Sequence, residues 1–444
     1  MRCWPLLVLL AFAGCGSDQT LEYDLEPIPL GRAPLAPGGE ALGGLLAKVN
    51  TAAGLEPLLI DSAFPFSSLV AAGCPTSAPP GWTYTGSIDL YGWTSQTPAR
   101  RASFRNVGLF DRCPGPTGDA ATQPAGVVGS PLLANFAVDL SLPRSSAVPA
   151  LMRLWPGFPG TDDQIAQAGF AVLRFEPRGG AVVAKPDGQS SVSLPNTRIV
   201  LAACAAPRVF STSEVQETCA TGEVALKASG GDLQLALGTG EGPLILSAAA
   251  WARLAARLGM PVDAGATGEL FTPFSSTATP ARFLTLARLA LFQGAADAAW
   301  SGACAELARA RRIEWVLANQ DQGACFQPCD ASGGQALTTR SYLEIGGPLA
   351  LAVVSETSAV IQALNVDMGA RPQVDGIIGA AALAGTRLRL DYPSQPSGRV
   401  IASCLDSTTR DACLAVPGCP GLSAQGQTHV CFGQPPRGWA PVCN

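Results

Sequence analysis

The sequence has a single histidine, His429, in 444 residues, and this scarcity excludes several kinds of catalytic site. A multi-histidine metal centre cannot be built, and a Ser-His-Asp triad would have to use that one residue. Charged residues are also scarce, at 14% of the chain, and 34 acidic side chains outnumber 29 basic ones, for a net charge of −5. This balance excludes the strongly basic surface of a dedicated nucleic-acid binder. We therefore expect no metal, no cofactor and no nucleic-acid partner.

Long hydrophobic runs are missing as well. The apolar stretch at residues 6–13 is too short to span a bilayer and is typical of a signal peptide. It leads into Cys15 through small residues, an arrangement that resembles a bacterial lipobox, in which the cysteine is lipidated. We expect a signal peptide at residues 1–14, a lipid-anchored linker at residues 15–44, and attachment to the outer membrane through Cys15. An ordinary secreted protein is the alternative.

The residues that are abundant indicate a β protein with a large core. Hydrophobic residues make up 47% of the chain, which is enough to bury a sizeable core. The 49 glycines and 37 prolines favour short strands joined by many turns. Intrinsic disorder is excluded by the same composition.

Fourteen cysteines are present, and twelve remain once Cys3 in the signal peptide and the lipidated Cys15 are set aside. In an oxidising compartment an even number predicts disulfides, here up to six. Neighbours in the sequence give two local candidate pairs, Cys74 with Cys113 and Cys204 with Cys219. The remaining candidates are Cys304, Cys325, Cys329, Cys404, Cys413, Cys419, Cys431 and Cys443. A zinc or redox site at Cys325 and Cys329 is the weaker alternative, because partner ligands are missing.

The two halves of the chain share three short matches, which predicts an internal duplication. The matched segments, in chain order, are 59–63 with 244–248, 97–100 with 279–282, and 126–129 with 376–379. The first match places Asp61 opposite Leu246. The offset between the halves is much larger for the third match than for the other two, which predicts an insertion at about residues 293–375.

The order of these elements resembles the lobe of pepsin-like and retropepsin-like aspartic proteases. Leu58-Leu59-Ile60-Asp61-Ser62-Ala63 is similar to the family's apolar strand ending in Asp-Thr/Ser-Gly, and Val127-Val128-Gly129 and Ile377-Ile378-Gly379 are similar to its apolar-apolar-Gly strands. The resemblance implies a mainly β, bilobal fold that arose by duplication. The expected domains are an N-terminal lobe at residues 45–146, connecting strands at 147–230, a C-terminal lobe at 231–400 and a cysteine-rich tail at 401–444.

The resemblance also implies a catalytic pair of carboxylates, of which this chain keeps one. Two carboxylates about 3 Å apart must share a proton to act as base and acid. Asp61 is the candidate catalytic residue, but its aligned partner is Leu246, which cannot exchange a proton. Ser62 and Ser247 match the family's hydroxyl position between the lobes. Asp263 is a weaker candidate for the second acid, and Asp61 itself has an alternative structural role in accepting backbone hydrogen bonds.

An aromatic segment, residues 82–93, falls where the family carries a flap hairpin over its cleft. Tyr84, Tyr91 and Trp93 are candidate peptide-binding residues, although each is also explained by core packing. We expect a non-catalytic peptide- or protein-binding lipoprotein with a segment held in the cleft between the lobes. The alternatives are an active aspartic endopeptidase that uses Asp61 with another acid or a second chain, and a purely structural envelope protein.

Overall fold

The computed structural model describes about three fifths of the chain. The described residues are 10–11, 20–23, 25–33, 43–51, 54–70, 83–93, 100–112, 124–145, 147–175, 177–178, 181–184, 191–194, 197–206, 231–274, 278–293, 302–304, 306–307, 341–365, 373–392, 398–405 and 412–417. Within them, strands far outnumber helices, so the predicted mainly β class is confirmed.

The strands of the first half are β1 (Leu10–Ala11), β2 (Thr20–Tyr23), β3 (Ile28–Arg32), β4 (Leu45–Thr51), β5 (Gly54–Ile60), β6 (Ser68–Val70), β7 (Thr83–Tyr91), β8 (Arg100–Arg112), β9 (Gly126–Val128), β10 (Ala137–Leu142), β11 (Ala150–Trp155), β12 (Ala171–Phe175), β13 (Ala181–Ala184) and β14 (Ser191–Leu194). Those of the second half are β15 (Val200–Ala206), β16 (Gly231–Gly238), β17 (Leu244–Ser247), β18 (Ala266–Leu270), β19 (Thr279–Phe292), β20 (Tyr342–Val354), β21 (Gly376–Gly379), β22 (Thr386–Asp391), β23 (Gly398–Cys404) and β24 (Cys413–Val416). The helices are α1 (Ser130–Leu133), α2 (Asp162–Gln167), α3 (Ala248–Leu258) and α4 (Ala359–Asn365).

Two of these elements show directly how local sequence sets local structure. Helix α3 begins at the cap Ser247, whose side chain accepts the Ala250 N–H, and ends at Gly259 in the left-handed conformation (φ 66°). Strand β22 alternates, with Leu388 and Leu390 fully buried between half-buried arginines. In both elements, patterns within a dozen residues account for the observed structure.

Two closed rings of six strands dominate the fold, and their pairings are the same. The first ring runs β8–β6–β9–β5–β4–β7 and returns to β8. The second runs β20–β17–β21–β16–β15–β19 and returns to β20. In each ring the strand of the Gly-apolar-apolar-Gly motif, β9 or β21, has one parallel and one antiparallel neighbour. The pairing pattern therefore gives a residue-by-residue correspondence between the rings.

A central sheet joins the two halves of the chain. Its order is β3–β11–β10–β22–β23–β12, and β10 pairs with β22 in register, Val138 with Leu390 and Leu140 with Leu388. All four of these side chains are buried in the main hydrophobic core. One face of this sheet thus packs on the core that it shares with the rings.

Three regions named in the predicted domain division contribute strands to the sheets. Residues 15–44, predicted as a linker, contribute β2 and β3, because Ile28 and Leu30 are buried apolar positions of a strand. The region 293–375, predicted as an insertion, contains β20 and α4, and β20 is a ring strand. The region 401–444, predicted as a separate tail, contributes the end of β23 and also β24, which pairs with β20.

Disulfides are present, as predicted, but one pairing differs. Cys204 is bonded to Cys304, not to Cys219, because β15 carries Cys204 to the wall of the second ring where Cys304 packs beside it. The second bond joins Cys404 to Cys413 and fastens β24 to β23. The other candidates lie outside the described residues: Cys15, Cys74, Cys113, Cys219, Cys325, Cys329, Cys419, Cys431 and Cys443. Among the described residues, no helix combines the length and apolar character needed to cross a bilayer.

Candidate functional site

Asp61 lies directly after β5, at the point where the chain leaves the first ring. The apolar residues Leu58, Leu59 and Ile60 bury the end of the strand, and β9 runs parallel to it, so that the Asp61 N–H donates to the Val128 carbonyl (2.9 Å). The side chain is completely buried. Its Oδ1 accepts the Ala63 N–H at 2.9 Å, whereas Oδ2 has no hydrogen-bond partner among the described residues.

A reciprocal set of hydrogen bonds joins the two rings beside Asp61. The Ser62 N–H donates to Thr239 Oγ1 (3.1 Å), and the Thr239 N–H donates to Ser62 Oγ (3.3 Å). Each hydroxyl also donates to a carbonyl of the other ring, Ser62 to Leu237 (2.6 Å) and Thr239 to Ile60 (2.8 Å). All four groups are buried, so the arrangement fixes the two loops against each other and leaves each hydroxyl paired.

These contacts identify Gly238, not Leu246, as the position that corresponds to Asp61. Strand β16 pairs with β21 as β5 pairs with β9, which matches Ile60 with Leu237 and therefore Asp61 with Gly238. Leu246 lies instead in β17, the counterpart of β6, and is buried opposite Gly376 and Val353. The predicted alignment was wrong because it matched similar letters in strands with different places in the ring.

The hydroxyl position is likewise held by a residue that the alignment did not select. Thr239 makes the contact with Ser62 between the two halves of the chain. Ser247 does not reach this contact and instead caps helix α3 through the Ala250 N–H. Asp263, the weaker candidate for the second acid, is exposed in the turn after α3. The sequence did contain a usable pattern, an apolar run ending in Leu237 and followed by Gly238-Thr239-Gly240.

Two glycines allow the second loop to lie directly on the carboxyl group. A Cβ on Gly240 would come within 2.5 Å of Asp61 Cβ and 2.6 Å of its Cγ. A Cβ on Gly238 would lie 2.5 Å from Ile377 Cγ2 and 3.2 Å from Ala63 Cβ. A second carboxylate therefore has no room at the corresponding position unless Ile377 moves.

Burial dominates the electrostatics of Asp61. Loss of solvation raises its pKa from 3.8 to about 6, against smaller lowering effects of the Ala63 and Gly240 backbone N–H groups and of the Arg198 cation. Arg198 is itself buried, and burial lowers its pKa to about 10 although Asp61 opposes this effect. The Tyr392 hydroxyl has a strongly raised pKa, chiefly from burial and also from the nearby Asp61.

Arg198 connects the Asp61 loop to helix α4. Its Nε donates to the Ala63 carbonyl (3.2 Å), and its terminal nitrogens donate to the carbonyls of Leu364 (2.8 Å) and Ala363 (3.1 Å). The cation thus satisfies the last turn of α4, where carbonyls lack partners within the helix. Sequence reasoning missed Arg198 because it is more than 130 residues from Asp61 in the chain.

Aromatic side chains cover the loop that contains Asp61. Phe64 contacts Phe66 (4.5 Å between ring centroids) and Phe274 (5.1 Å), and Phe274 belongs to the second half of the chain. Phe64 is buried, as is Ala63. These contacts bury the residues that follow Asp61, and the close approach of Gly240 covers the carboxyl group itself.

The predicted flap residues lie on the hairpin β7–β8, and Trp93 packs against the apolar cluster that contains Phe64 of the Asp61 loop. Trp93 packs against Gly31 of β3, its backbone N–H donates to the Pro29 carbonyl (2.8 Å), and Lys48 Nζ lies 5.7 Å from its ring centre. Tyr91 is half-buried at the end of β7, opposite Arg100. For Tyr84 the structure gives the strand position, opposite Leu109, and its side chain lies outside the description.

The chemistry available at this site is limited. Hydrolysis by a carboxylate pair needs a water molecule between two acids, and here one acid is sealed from solvent and the corresponding position is a glycine. Glu241, three residues after Gly238, is a second buried carboxyl that the sequence analysis did not select, and its N–H donates to the Gly238 carbonyl (3.4 Å). In the part of the chain that the structure describes, no three His, Cys, Asp or Glu side chains cluster as a metal site.

Comparisons with known proteins give only distant structural likenesses. No protein-family model matches the chain, and no curated protein matches its sequence. Basic 7S globulin from soybean has a TM-score of 0.37 and 9% identity, over 85% of this chain and 94% of that one. Conglutin gamma, a basic 7S globulin from lupine seeds, has a TM-score of 0.37 and 10% identity, over 87% of this chain and 96% of that one. The aspartic proteinase from Irpex lacteus has a TM-score of 0.36 and 11% identity, over 87% of this chain and 99% of that one. These three proteins share a pepsin-like fold.

Proposed function

We propose that this chain is a non-catalytic protein of the pepsin-like fold, built from two duplicated lobes, that binds a peptide or protein segment. One observation carries the proposal: Gly238 holds the position that corresponds to Asp61, on the other side of the Ser62–Thr239 contact. The contact between the loops is kept while the second acid is missing. Losing one general acid or base typically costs about 10²–10⁴-fold in rate, and a pair that acts as a unit loses more.

Support for binding comes from strand β18. Its residues Ala266 to Glu269 are exposed, and within the described residues it pairs only with β19, so its second edge is open to another extended chain. Such an edge can add a strand from a partner through backbone hydrogen bonds. The half-exposed Phe271 follows it directly and offers an apolar contact beside that edge.

The test is a cleavage assay followed by a binding assay on the same sample. We expect no cleavage of a diverse peptide pool between about pH 3 and pH 7, measured by mass spectrometry with Asp61→Asn as the control. Cleavage that disappears in Asp61→Asn and with pepstatin would establish the alternative, an active endopeptidase. If there is no cleavage, peptides retained by the protein should slow hydrogen exchange in β18.

A structural envelope protein is the second candidate, because the aromatic cover fills the region over Asp61 with the chain's own side chains. The absence of any peptide-induced protection, in β18 or elsewhere, would favour this candidate over the binding module.

We also propose that the protein is exported and held at the outer membrane by a lipid on Cys15. Support comes from the N-terminal sequence and from the bonds Cys204–Cys304 and Cys404–Cys413, since disulfides persist in oxidising compartments. Radiolabelled fatty acid should enter the wild-type protein and not Cys15→Ser. Incorporation by both proteins, or by neither, would contradict this assignment.

A further inference from the structure

The face of the central sheet that points away from the core carries a group of arginines on adjacent strands. Asp139 in β10 lies opposite Arg153 in β11 and opposite Arg389 in β22. Arg387, two residues before Arg389, lies on the same face because strand side chains alternate. We call Arg153, Arg387 and Arg389 the arginine face.

The carboxylates that the described strands place on this face are already engaged: Asp139 with Arg387, and Asp391, two residues after Arg389, with Arg399. Arg387 makes two hydrogen bonds to Asp139, from Nε to Oδ1 (2.8 Å) and from a terminal nitrogen to Oδ2. Arg389 Nε lies 3.7 Å from Oδ2, too far for a hydrogen bond, and has no hydrogen-bond partner among the described residues. Arg153 makes no ion pair or hydrogen bond within them. Within the described residues, Asp139 is the one carboxylate beside these three arginines, so two of their positive charges have no counter-charge there.

Neighbouring arginines on the same sheet do not share this excess. Arg174 pairs with Asp162, and Arg399 pairs with both Asp162 and Asp391. The described arginines of β12 and β23 are therefore matched by carboxylates, unlike those of the arginine face, in a chain whose net charge is −5.

Aromatic rings fix the position of Arg389. Its guanidinium carbon lies 5.1 Å from the ring centre of Phe158 and 5.3 Å from that of Phe170, distances of cation–π contacts. The side chain stays one-quarter exposed, and that of Arg387 about one-third. Partial burial lowers the pKa of Arg389, and the like charge of Arg387 adds to this effect, although Asp139 opposes it. The cation is thus held in place, partly desolvated and accessible.

We propose that the arginine face is a binding site for a phosphate-bearing ligand. A phosphate monoester carries a charge of about −1.5 to −2 near neutral pH, which matches the two uncompensated charges. Guanidinium groups bind phosphate oxygens in a bidentate manner. Arg153 has no hydrogen-bond acceptor among the described residues, and the side chain of Arg389 is one-quarter exposed although its Nε is buried. The proposal does not depend on Asp61 or on β18.

The test measures binding of the oxidised protein to two probes at constant ionic strength. Calorimetric titration with inorganic pyrophosphate detects a soluble ligand, and co-sedimentation with vesicles containing phosphatidic acid detects a lipid headgroup, with phosphatidylcholine vesicles as the blank. Arg153→Gln should weaken binding by roughly tenfold or more, the loss of one charge-assisted contact. Because Arg153 makes no internal hydrogen bond or ion pair, this variant should fold normally, and an unchanged thermal midpoint checks this.

Arg105→Gln, at an exposed arginine of β8, is the matched control and should bind as the wild type does. Pyrophosphate binding lost in Arg153→Gln identifies a soluble phosphate ligand. Vesicle binding alone, lost in the same variant, identifies a headgroup. Absence of binding to both probes, or equal weakening by Arg105→Gln, overturns the proposal.

Discussion

Replacing Asp61 by asparagine should remove a pH dependence of stability that the buried carboxyl creates. The folded protein holds the Asp61 proton to a pKa of about 6, whereas the unfolded chain releases it near 3.8. Between these values the folded state binds more protons, so stability falls as pH rises through this window. The shift of about two pKa units, at 1.36 kcal/mol each, corresponds to a loss of about 3 kcal/mol that is complete above about pH 7.

The assay is urea unfolding with intact disulfides, followed by circular dichroism at pH 3.5, 5 and 7.5. Asparagine keeps an oxygen for the Ala63 N–H and cannot ionise, so the free energy of unfolding of Asp61→Asn relative to wild type should rise by about 3 kcal/mol across this range. Asp263→Asn is the control, because it removes one carboxylate from an exposed position in the turn after α3. A difference between Asp61→Asn and wild type that stays constant with pH would refute the reasoning.

Three further predictions concern the same junction and the second ring. Gly240→Ala should lower the free energy of unfolding by about 1–3 kcal/mol, because the added Cβ meets the buried carboxyl group of Asp61. Gly157→Ala is the control, since its Cβ meets nothing within 4 Å. Equal urea midpoints of the two variants would contradict the packing around Asp61. Arg198→Met should cost about 3–5 kcal/mol in the same assay, since it leaves a buried carboxyl without its cation, and a neutral effect would show that the charge is not needed. Non-reducing peptide mapping should recover Cys204 linked to Cys304, and a peptide linking Cys204 to Cys219 would contradict the fold. Replacing both cysteines by serine should lower the free energy of unfolding by about 4–5 kcal/mol, because the bond closes a loop of about 100 residues.

Features that depend on neighbouring residues could be predicted from the sequence, and those that depend on distant contacts could not. Helix α3 and strand β22 follow from periodicity and caps within a dozen residues. The position that corresponds to Asp61 depends on which strand runs parallel to β21, and β21 begins more than 130 residues after the end of β16. The alignment selected Leu246 instead, because the sequence around it, in β17, is similar to that around Asp61. The bond from Cys204 to Cys304 is likewise a contact through space.

The buried electrostatics were also beyond the sequence. Asp61 was selected from its motif, but its burial depends on residues of the second half of the chain such as Gly240, which lies directly against the carboxyl group. Arg198 stands in no motif, and only the fold brings it to the carbonyls of Ala63 and Leu364. Composition fixes how many charges a chain has, whereas the fold decides which of them lose water.

The pairing of β10 with β22 has a consequence for the order of assembly. Roughly 244 residues separate Leu142 from its partner Thr386. At about 5–20 residues per second, the ribosome needs about 12–50 s to synthesise this intervening segment. During this interval the edge of β10 is open to other chains, a hazard for aggregation. Asp139 places a charge at the middle of that edge, where it opposes pairing with an apolar strand from another molecule. The residue that later binds Arg387 thus acts first as a gatekeeper of the nascent chain.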